Sequence, residues 1–366
     1  MKIECSIEKI KNALTIAERV TGKNLTLPVL SSILFIASGK NLVIRATNLS
    51  IGVEITIPAV KIEKEGIVAI KGDVLNTLFS AVPPNTTVFF EQKDTTLQIK
   101  TKNNNINLKI IPHDDFPTLP IVEGEKFTIE SKKLLEGLKS VFYSASTSDI
   151  KPEIGSIYIY PQDDTLIFVA TDSFRLAEKR LKIKQNLSFD GILIPFKNST
   201  EIIRILETVS DDITITLNKN QISFTAPGIY ITSRVIDGVF PDYKQILPTH
   251  PTTEVTILKQ DFINSLKISN IFADKFNQIT IFVNLKQKLF ELQSKNTDIG
   301  ENITTVPSVL SGEEVTANFN YKYIIDSFQS INTDSLVLQL SGTNKPMIIR
   351  PIGDSSFLYL IMPMNR

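Results

Sequence analysis

The chain has 366 residues, with 39 basic and 39 acidic groups, one cysteine, two histidines and no tryptophan. That length predicts two or three domains; the lone Cys5 excludes a disulfide framework and points to a reducing compartment, and with His113 and His250 it is too little for a Cys/His metal cluster. Zero net charge argues against an openly basic nucleic-acid binder, and no run approaches the ~18 apolar residues of a membrane span or resembles a signal segment, so a cytoplasmic protein without membrane contact is expected.

The first predicted element is an amphipathic helix from Ser6 to Val20. Ile7, Ile10, Leu14 and Ala17 recur at spacings of three and four, with Lys9, Asn12 and Arg19 opposite. Strand-like, β-branched runs follow at Leu42–Arg45 and Ile51–Ile57, then a second helical stretch at Lys71–Val82. Asn103–Asn105 marks a loop tip. The segment His113–Pro120 reads as a linker, because proline cannot continue a central strand or a helix.

The pattern then restarts. A helix predicted over Ser131–Thr147 carries Leu134, Leu135, Leu138, Val141, Phe142 and Ala145 on one stripe and Lys132, Lys133 and Lys139 on the other half. A strand at Thr165–Val169, a helix at Pro195–Val209, a strand at Ile229–Thr232 and a proline-bearing linker at Asp237–Pro248 complete the second unit. Helices at Lys259–Lys275 and Phe319–Ile331 open and close a third. In the first of these Phe262, Ile263 and Leu266 align, but Ile268, Ile271 and Phe272 do not. The helix starts at Ser6, Ser131 and Lys259 are offset by 125 and 128 residues, and Pro117 and Pro241 by 124. This is a threefold internal repeat. Three α+β domains are expected, at 1–124, 125–249 and 250–366. The six helical stretches carry 13 basic and 9 acidic groups, a balance of +4 against −4 for the rest of the chain.

Nothing in the chain has the form of a catalytic site. There is no Gly-x-Gly-x-x-Gly and no Walker-type phosphate loop. A Ser-His-Asp triad would have to recruit His113 or His250, both beside linker prolines, and His113-Asp114-Asp115 reads as hydrated linker rather than metal ligand. The pairs Asp163-Asp164 and Asp211-Asp212 read as turn residues. No catalytic residue, metal or cofactor is expected.

Four segments in order carry a resemblance: Leu27-Pro-Val-Leu-Ser-Ser-Ile-Leu34, Ala170-Thr-Asp-Ser-Phe-Arg-Leu-Ala177, Phe240-Pro-Asp-Tyr-Lys-Gln-Ile-Leu-Pro248 and Tyr359-Leu-Ile-Met-Pro-Met-Asn-Arg366. Together, on a chain with three repeats, they resemble the bacterial DNA polymerase III β-subunit (sliding clamp) family from end to end. The resemblance implies three clamp-fold domains per chain, helices on the inner face and antiparallel sheets outside, closed into a ring as a head-to-tail homodimer. Helix width fits that picture: six helices about 10 Å wide enclose a hole of only ~9 Å, whereas twelve leave about 28 Å, room for a ~20 Å duplex.

It further implies a non-catalytic accessory subunit of the polymerase III holoenzyme, a processivity factor that encircles double-stranded DNA without reading its sequence. Implied partners are the polymerase catalytic subunit, a clamp loader, and other polymerases and mismatch-repair proteins bound through short apolar peptides. Candidate DNA-facing residues are Lys9, Arg19, Lys23, Lys132, Lys133, Lys139, Lys197, Arg204 and Lys267, since phosphate contacts carry no sequence information. The implied peptide pocket comprises Ile154, Thr171, Ser173, Phe174, Arg175, Leu176, Pro241, Ile246, Met362, Pro363 and Met364, in which methionines flanking a proline form an adaptable wall. A bland reading of Leu176 and Ile246 makes them core. The chain departs from the family pattern at Ser173-Phe174 (usually Gly-His), at Gln245 (usually basic) and at Asn365-Arg366 (usually Arg-Leu), which implies an altered peptide preference. The alternative function is a duplicate clamp-like scaffold specialised for repair or drug resistance.

Overall fold

The computed structural model describes residues 1–22, 27–83 and 87–364. The elements follow one pattern three times. The first repeat runs β1 (Lys2–Ser6), α1 (Ile7–Val20), β2 (Ser32–Ser38), β3 (Asn41–Thr47), β4 (Ile51–Pro58), β5 (Lys61–Lys64), β6 (Gly66–Lys71) and α2 (Gly72–Ala81). It ends with β7 (Thr87–Lys93), β8 (Thr96–Lys100) and β9 (Asn105–Lys109). The second comprises β10 (Glu125–Ile129), α3 (Ser131–Val141), β11 (Ser156–Gln162), β12 (Thr165–Thr171), β13 (Arg175–Lys182) and β14 (Ile192–Pro195). It continues with α4 (Phe196–Leu206), β15 (Ile213–Leu217), β16 (Gln221–Ala226) and β17 (Ile229–Arg234). The third has β18 (Thr253–Leu258), α5 (Lys259–Ile271), β19 (Gln278–Asn284), β20 (Leu289–Asn296), β21 (Gly300–Thr305), β22 (Ser308–Gly312) and β23 (Val315–Asn320). After α6 (Tyr321–Ser327) come β24 (Ser335–Leu340), β25 (Met347–Pro351) and β26 (Phe357–Ile361).

The chain packs as two units, Met1–Lys132 with Thr200–Val235, and Lys133–Ser199 with Ile236–Arg366. The division falls inside α3 and α4, so it halves the second repeat. The reason lies in the sheets. In the first unit an eight-stranded sheet has the order β10-β15-β16-β17-β4-β3-β2-β6, fusing strands of the first and second repeats at the antiparallel pair β17–β4. In the second unit a nine-stranded sheet, β14-β11-β12-β13-β26-β25-β24-β18-β22, fuses the second and third repeats at β13–β26. Two smaller sheets remain, β5-β1-β7-β8-β9 in the first unit and β21-β20-β19-β23 in the second.

Helix α1 buries Ile7, Ile10, Ala13, Leu14, Ala17 and Val20 and leaves Lys9, Asn12 and Arg19 in solvent, as its spacing predicts. The other helices are shorter than their sequence patterns. After Val141 the chain tightens into a 3-10 turn, Phe142–Ser144, where the run Ser144-Ala-Ser-Thr-Ser148 offers weak helix formers. Helix α4 stops at Leu206. Helix α5 stops at Ile271 because the Asp274 carboxylate accepts from the backbone N–H groups of Phe276 and Gln278, both at 3.0 Å. Phe319 belongs to strand β23; Asn320 then caps α6 by accepting from the Lys322 N–H at 2.8 Å. The incomplete stripe of α5 has a structural counterpart. Phe262, Ser265, Leu266 and Ser269 are buried while Ile268 and Ile271 stay exposed.

Cys5 sits on β1 with no solvent exposure, and burial is the main cause that pushes its thiol up to about 12. A thiol reagent at pH 8 is therefore expected to leave the native protein unmodified and to titrate one thiol per chain after denaturation. The unfolded thiol ionises first as pH rises, so this group subtracts stability above about pH 8.5 and nothing below. Fast labelling of the native protein would contradict this placement.

Candidate peptide pocket and basic helix faces

The candidate pocket residues gather at one end of the nine-stranded sheet. Thr171 closes β12 and Arg175 opens β13, and the turn between them is tied by local hydrogen bonds. Thr171 Oγ1 donates to the Arg175 carbonyl at 2.7 Å and accepts from the Ser173 N–H at 3.1 Å; Asp172 Oδ1 accepts from the N–H groups of Phe174 (2.9 Å) and Arg175 (3.0 Å). The turn leaves Phe174 pointing outward, 60% exposed. Beyond Ile361, which pairs with Arg175, the last residues run past the turn, and the Met362 N–H donates to the Phe174 carbonyl at 2.8 Å. Met364 is held in turn by donation to the Asn318 carbonyl at 2.8 Å. The register of β11 against β12 brings Ile154, just before β11, to the same end.

A hydrophobic cluster underlies this end. Leu176, Leu360, Phe240 and Tyr243 are buried together, with Met362 and Leu247 packed against them. Leu176, 1% exposed, is therefore core: the structure places it as the floor beneath the pocket rather than as an exposed wall. Pro241 and Ile246 remain exposed around the 3-10 turn Tyr243–Ile246, and Gln245 Nε2 donates to Asp242 Oδ2 at 2.9 Å. Met362, Pro363 and Met364 are half-buried.

Arg175 is bound within the chain. Its Nε donates to Asp172 Oδ2 at 2.9 Å, its Nη1 to Asp326 Oδ2 at 2.5 Å, and its guanidinium lies 4.7 Å from the centre of the Tyr323 ring. Two of its donors are thus committed inside the chain, and it fastens the turn to α6. Sequence reasoning also missed the hydroxyl network under the pocket. Tyr243 donates its O–H to the buried Glu178 carboxylate and lies 2.8 Å from the Tyr160 hydroxyl, while Arg180 Nε donates to the same carboxylate at 2.6 Å. The Phe240-Pro-Asp-Tyr243 segment was the available signal, since a buried tyrosine needs a partner for its hydroxyl.

Ser173 adopts φ +78°, a left-handed conformation that suits glycine. Ser173→Gly is therefore expected to raise stability by about 0.5–1 kcal/mol, read as an increase in the urea midpoint; a fall would show that the serine contributes something the turn geometry does not reveal.

Of the candidate DNA-facing residues, Lys9 and Arg19 on α1, Lys132 and Lys139 on α3, Lys197 and Arg204 on α4, and Lys267 on α5 are exposed, and Lys133 is half-buried. Lys197 pairs with Asp149 at 2.8 Å and Arg204 with Glu201 at 2.7 Å. Lys23, like Asn365, lies outside the described residues. Among the described residues no group of three His, Cys, Asp or Glu side chains is placed to hold a metal ion, and no helix is long and apolar enough to cross a membrane.

Known proteins resemble this chain over nearly their whole length. The DNA polymerase III β subunit of Thermotoga maritima superposes with a TM-score of 0.94 at 26% identity, covering 100% of this chain and 99% of that one. A sliding clamp from Bartonella birtlesii, solved bound to griselimycin, gives 0.94 at 25% identity over 100% of both chains. Curated relatives named beta sliding clamp include those of Synechococcus elongatus (25% identical, 100% of this chain and 99% of the relative) and Staphylococcus epidermidis (27%, 93% of each). The fold class is thus that of clamp subunits, built from repeated helix-and-sheet domains. Family models for the N-terminal, central and C-terminal domains of the DNA polymerase III beta subunit match residues 1–120, 128–242 and 244–365. The chain belongs to the DNA polymerase III beta-subunit family.

Proposed function

We propose that this chain is a DNA sliding clamp: a non-catalytic processivity factor that closes as a head-to-tail homodimer around duplex DNA, with three domains at 1–124, 125–249 and 250–366. The observation that carries this reading is the strand bookkeeping of the sheets. Each repeat contributes two half-sheets, one ending in β4, β13 or β21 and the other in β9, β17 or β26. Within the chain β4 meets β17 and β13 meets β26. The repeat leaves β21 and β9 as the two equivalent edges without each other. A second copy supplies the missing partner: β21 of one chain against β9 of the next, a contact that is heterologous and closes after two chains.

The surface beside β21 supports that joint. Ile271 (61% exposed) and Ile303 (63%) are joined by exposed Ile268 and Ile299. Asn302 Nδ2 donates to Ser269 Oγ at 3.2 Å, tying the strand to α5. An apolar group around an open edge is what an interface requires and what a monomer avoids.

In the ring, the exposed basic residues of α1, α3, α4 and α5 face phosphates without reading bases. The turn at Ser173–Phe174, the Pro241–Ile246 segment and Met362–Met364 take short extended apolar peptides from the polymerase catalytic subunit, the clamp loader, and other polymerases and mismatch-repair proteins. Polymerase chemistry resides in the catalytic partner, and the protein works in the cytoplasm. Family membership favours this clamp over a duplicate scaffold for repair or drug resistance. Size-exclusion chromatography with light scattering should give twice the chain mass at micromolar concentration. A monomer there would overturn the ring.

A further inference from the structure

The turn that shapes the peptide pocket occurs a second time, hydrogen bond for hydrogen bond, at the β4–β17 joint. Thr47 Oγ1 donates to the Ile51 carbonyl at 2.9 Å and accepts from the Leu49 N–H at 3.1 Å; Asn48 Oδ1 accepts from the N–H groups of Ser50 (2.9 Å) and Ile51 (3.0 Å). Leu49 has φ +74°, as Ser173 has +78°. The Arg234 N–H donates to the Ser50 carbonyl at 2.8 Å, just as the Met362 N–H donates to Phe174. The linker supplies Pro117 and Leu119 where the pocket has Pro241 and Tyr243.

The floor, however, is different. The pair Leu176–Leu360 is replaced by its register equivalent Gly52–Thr232, a glycine and a threonine for two leucines. The Leu119 side chain occupies the space that a Cβ at Gly52 would need, and a cleft of about 240 Å³ remains beside it, lined also by Leu49 and Arg234, all within the first unit. Thr232 is 4% exposed, and its hydroxyl has no hydrogen-bond partner among the described residues. Arg234 is exposed, makes no ion pair among the described residues, and no carboxylate lines the cleft.

We propose that this cleft is a second peptide-docking site, taking a short extended segment that carries a carboxylate side chain between apolar residues. The Arg234 guanidinium receives the segment's carboxylate as a fork, and Leu49, Pro117 and Leu119 flank the apolar residues. The choice of occupant follows from the uncompensated positive charge over an apolar wall. Because the turn is the shared element, the proposal rests on the peptide pocket described above, but the two sites differ in charge: a free cation marks the cleft, whereas Arg175 is already paired.

Photo-crosslinking separates them. The probes are acetyl-Ala-Leu-Glu-Leu-Ala-amide carrying a benzophenone at its N-terminus, and its Gln twin, applied to the intact protein with labelled residues read by mass spectrometry. The Glu probe is expected to label residues 47–52, 117–120 or 232–234, and the Gln twin to label them about tenfold less. Arg234→Glu should abolish that labelling. Labelling at 171–176 and 362–364 alone would overturn the second site while leaving the peptide pocket standing. Labelling at neither would count against both. Equal labelling by the two probes at the cleft would overturn the role given to Arg234.

Discussion

Ile271→Lys is expected to turn the dimer into monomers that remain fully folded. The side chain stands at the end of α5, 61% exposed, with Ile268, Ile299 and Ile303 exposed around it. Burying one isoleucine contributes about 1.5–3 kcal/mol, and a lysine in its place must also lose hydration, so about 3 kcal/mol per joint is a fair scale. A head-to-tail ring of two has two equal joints, and one substitution damages both. The dissociation constant should therefore rise by roughly four orders of magnitude, about 6 kcal/mol at 1.4 kcal/mol per decade. Stability of the monomer should change by less than about 0.5 kcal/mol, since lysine suits a helix C-terminus and the site is solvent-facing in the single chain. Sedimentation velocity over a concentration series reads the first effect and urea titration the second. A dimer as tight as the wild type would exclude this surface from the joint.

Arg175→Ala should carry the second large effect. The guanidinium joins Asp172, on its own turn, to Asp326 on α6, and is 13% exposed. Its removal leaves two carboxylates facing each other with no cation between. Breaking a fully buried pair costs about 3–5 kcal/mol; Asp326 is 38% exposed, so solvent screens part of this and about 2–3 kcal/mol is expected. The turn that presents Phe174 also loses its anchor, so affinity for an apolar clamp-binding peptide should fall even at temperatures where the variant is folded. Arg175→Lys should recover less than half of either loss, because an ammonium cannot serve two carboxylates in a fixed plane. Unchanged peptide affinity in a folded Arg175→Ala protein would show that the turn holds its shape unaided.

The sequence made local structure legible where periodicity ruled it. The stripe Ile7, Ile10, Leu14, Ala17 predicts α1 to within a residue, because one face of the helix is buried against α2 and strands β3 and β4 while the other stays in solvent. Phe319, read as helix, pairs instead with Ile279 in β19–β23; a buried apolar residue beside a helix start carries no mark of which element it joins. The repeat was legible from its offsets, but the fused sheets were not. The pair β17–β4 joins residues more than 170 positions apart, and nothing in Ile229–Arg234 says which strand lies beside it. The same holds for the pocket. Its members could be carried over from a resemblance, yet the partner of Arg175 at Asp326, 151 residues away, is a fact of tertiary structure. The second turn was visible in principle, since Ala46-Thr-Asn-Leu-Ser50 recurs as Ala170-Thr-Asp-Ser-Phe174 at a spacing of 124. Its chemistry depends on Arg234 and Leu119 coming together beside Gly52, which no spacing discloses.

Encirclement rather than affinity must hold this protein on DNA, because a chain with zero net charge has only a modest basic surface to offer phosphates. The most direct measurement is the lifetime of the protein on nicked circular duplex, loaded by a clamp loader, before and after a single cut linearises the DNA. A closed ring predicts a long residence on the circle and prompt loss from the free ends once it is cut. A lifetime that the cut leaves unchanged would contradict encirclement.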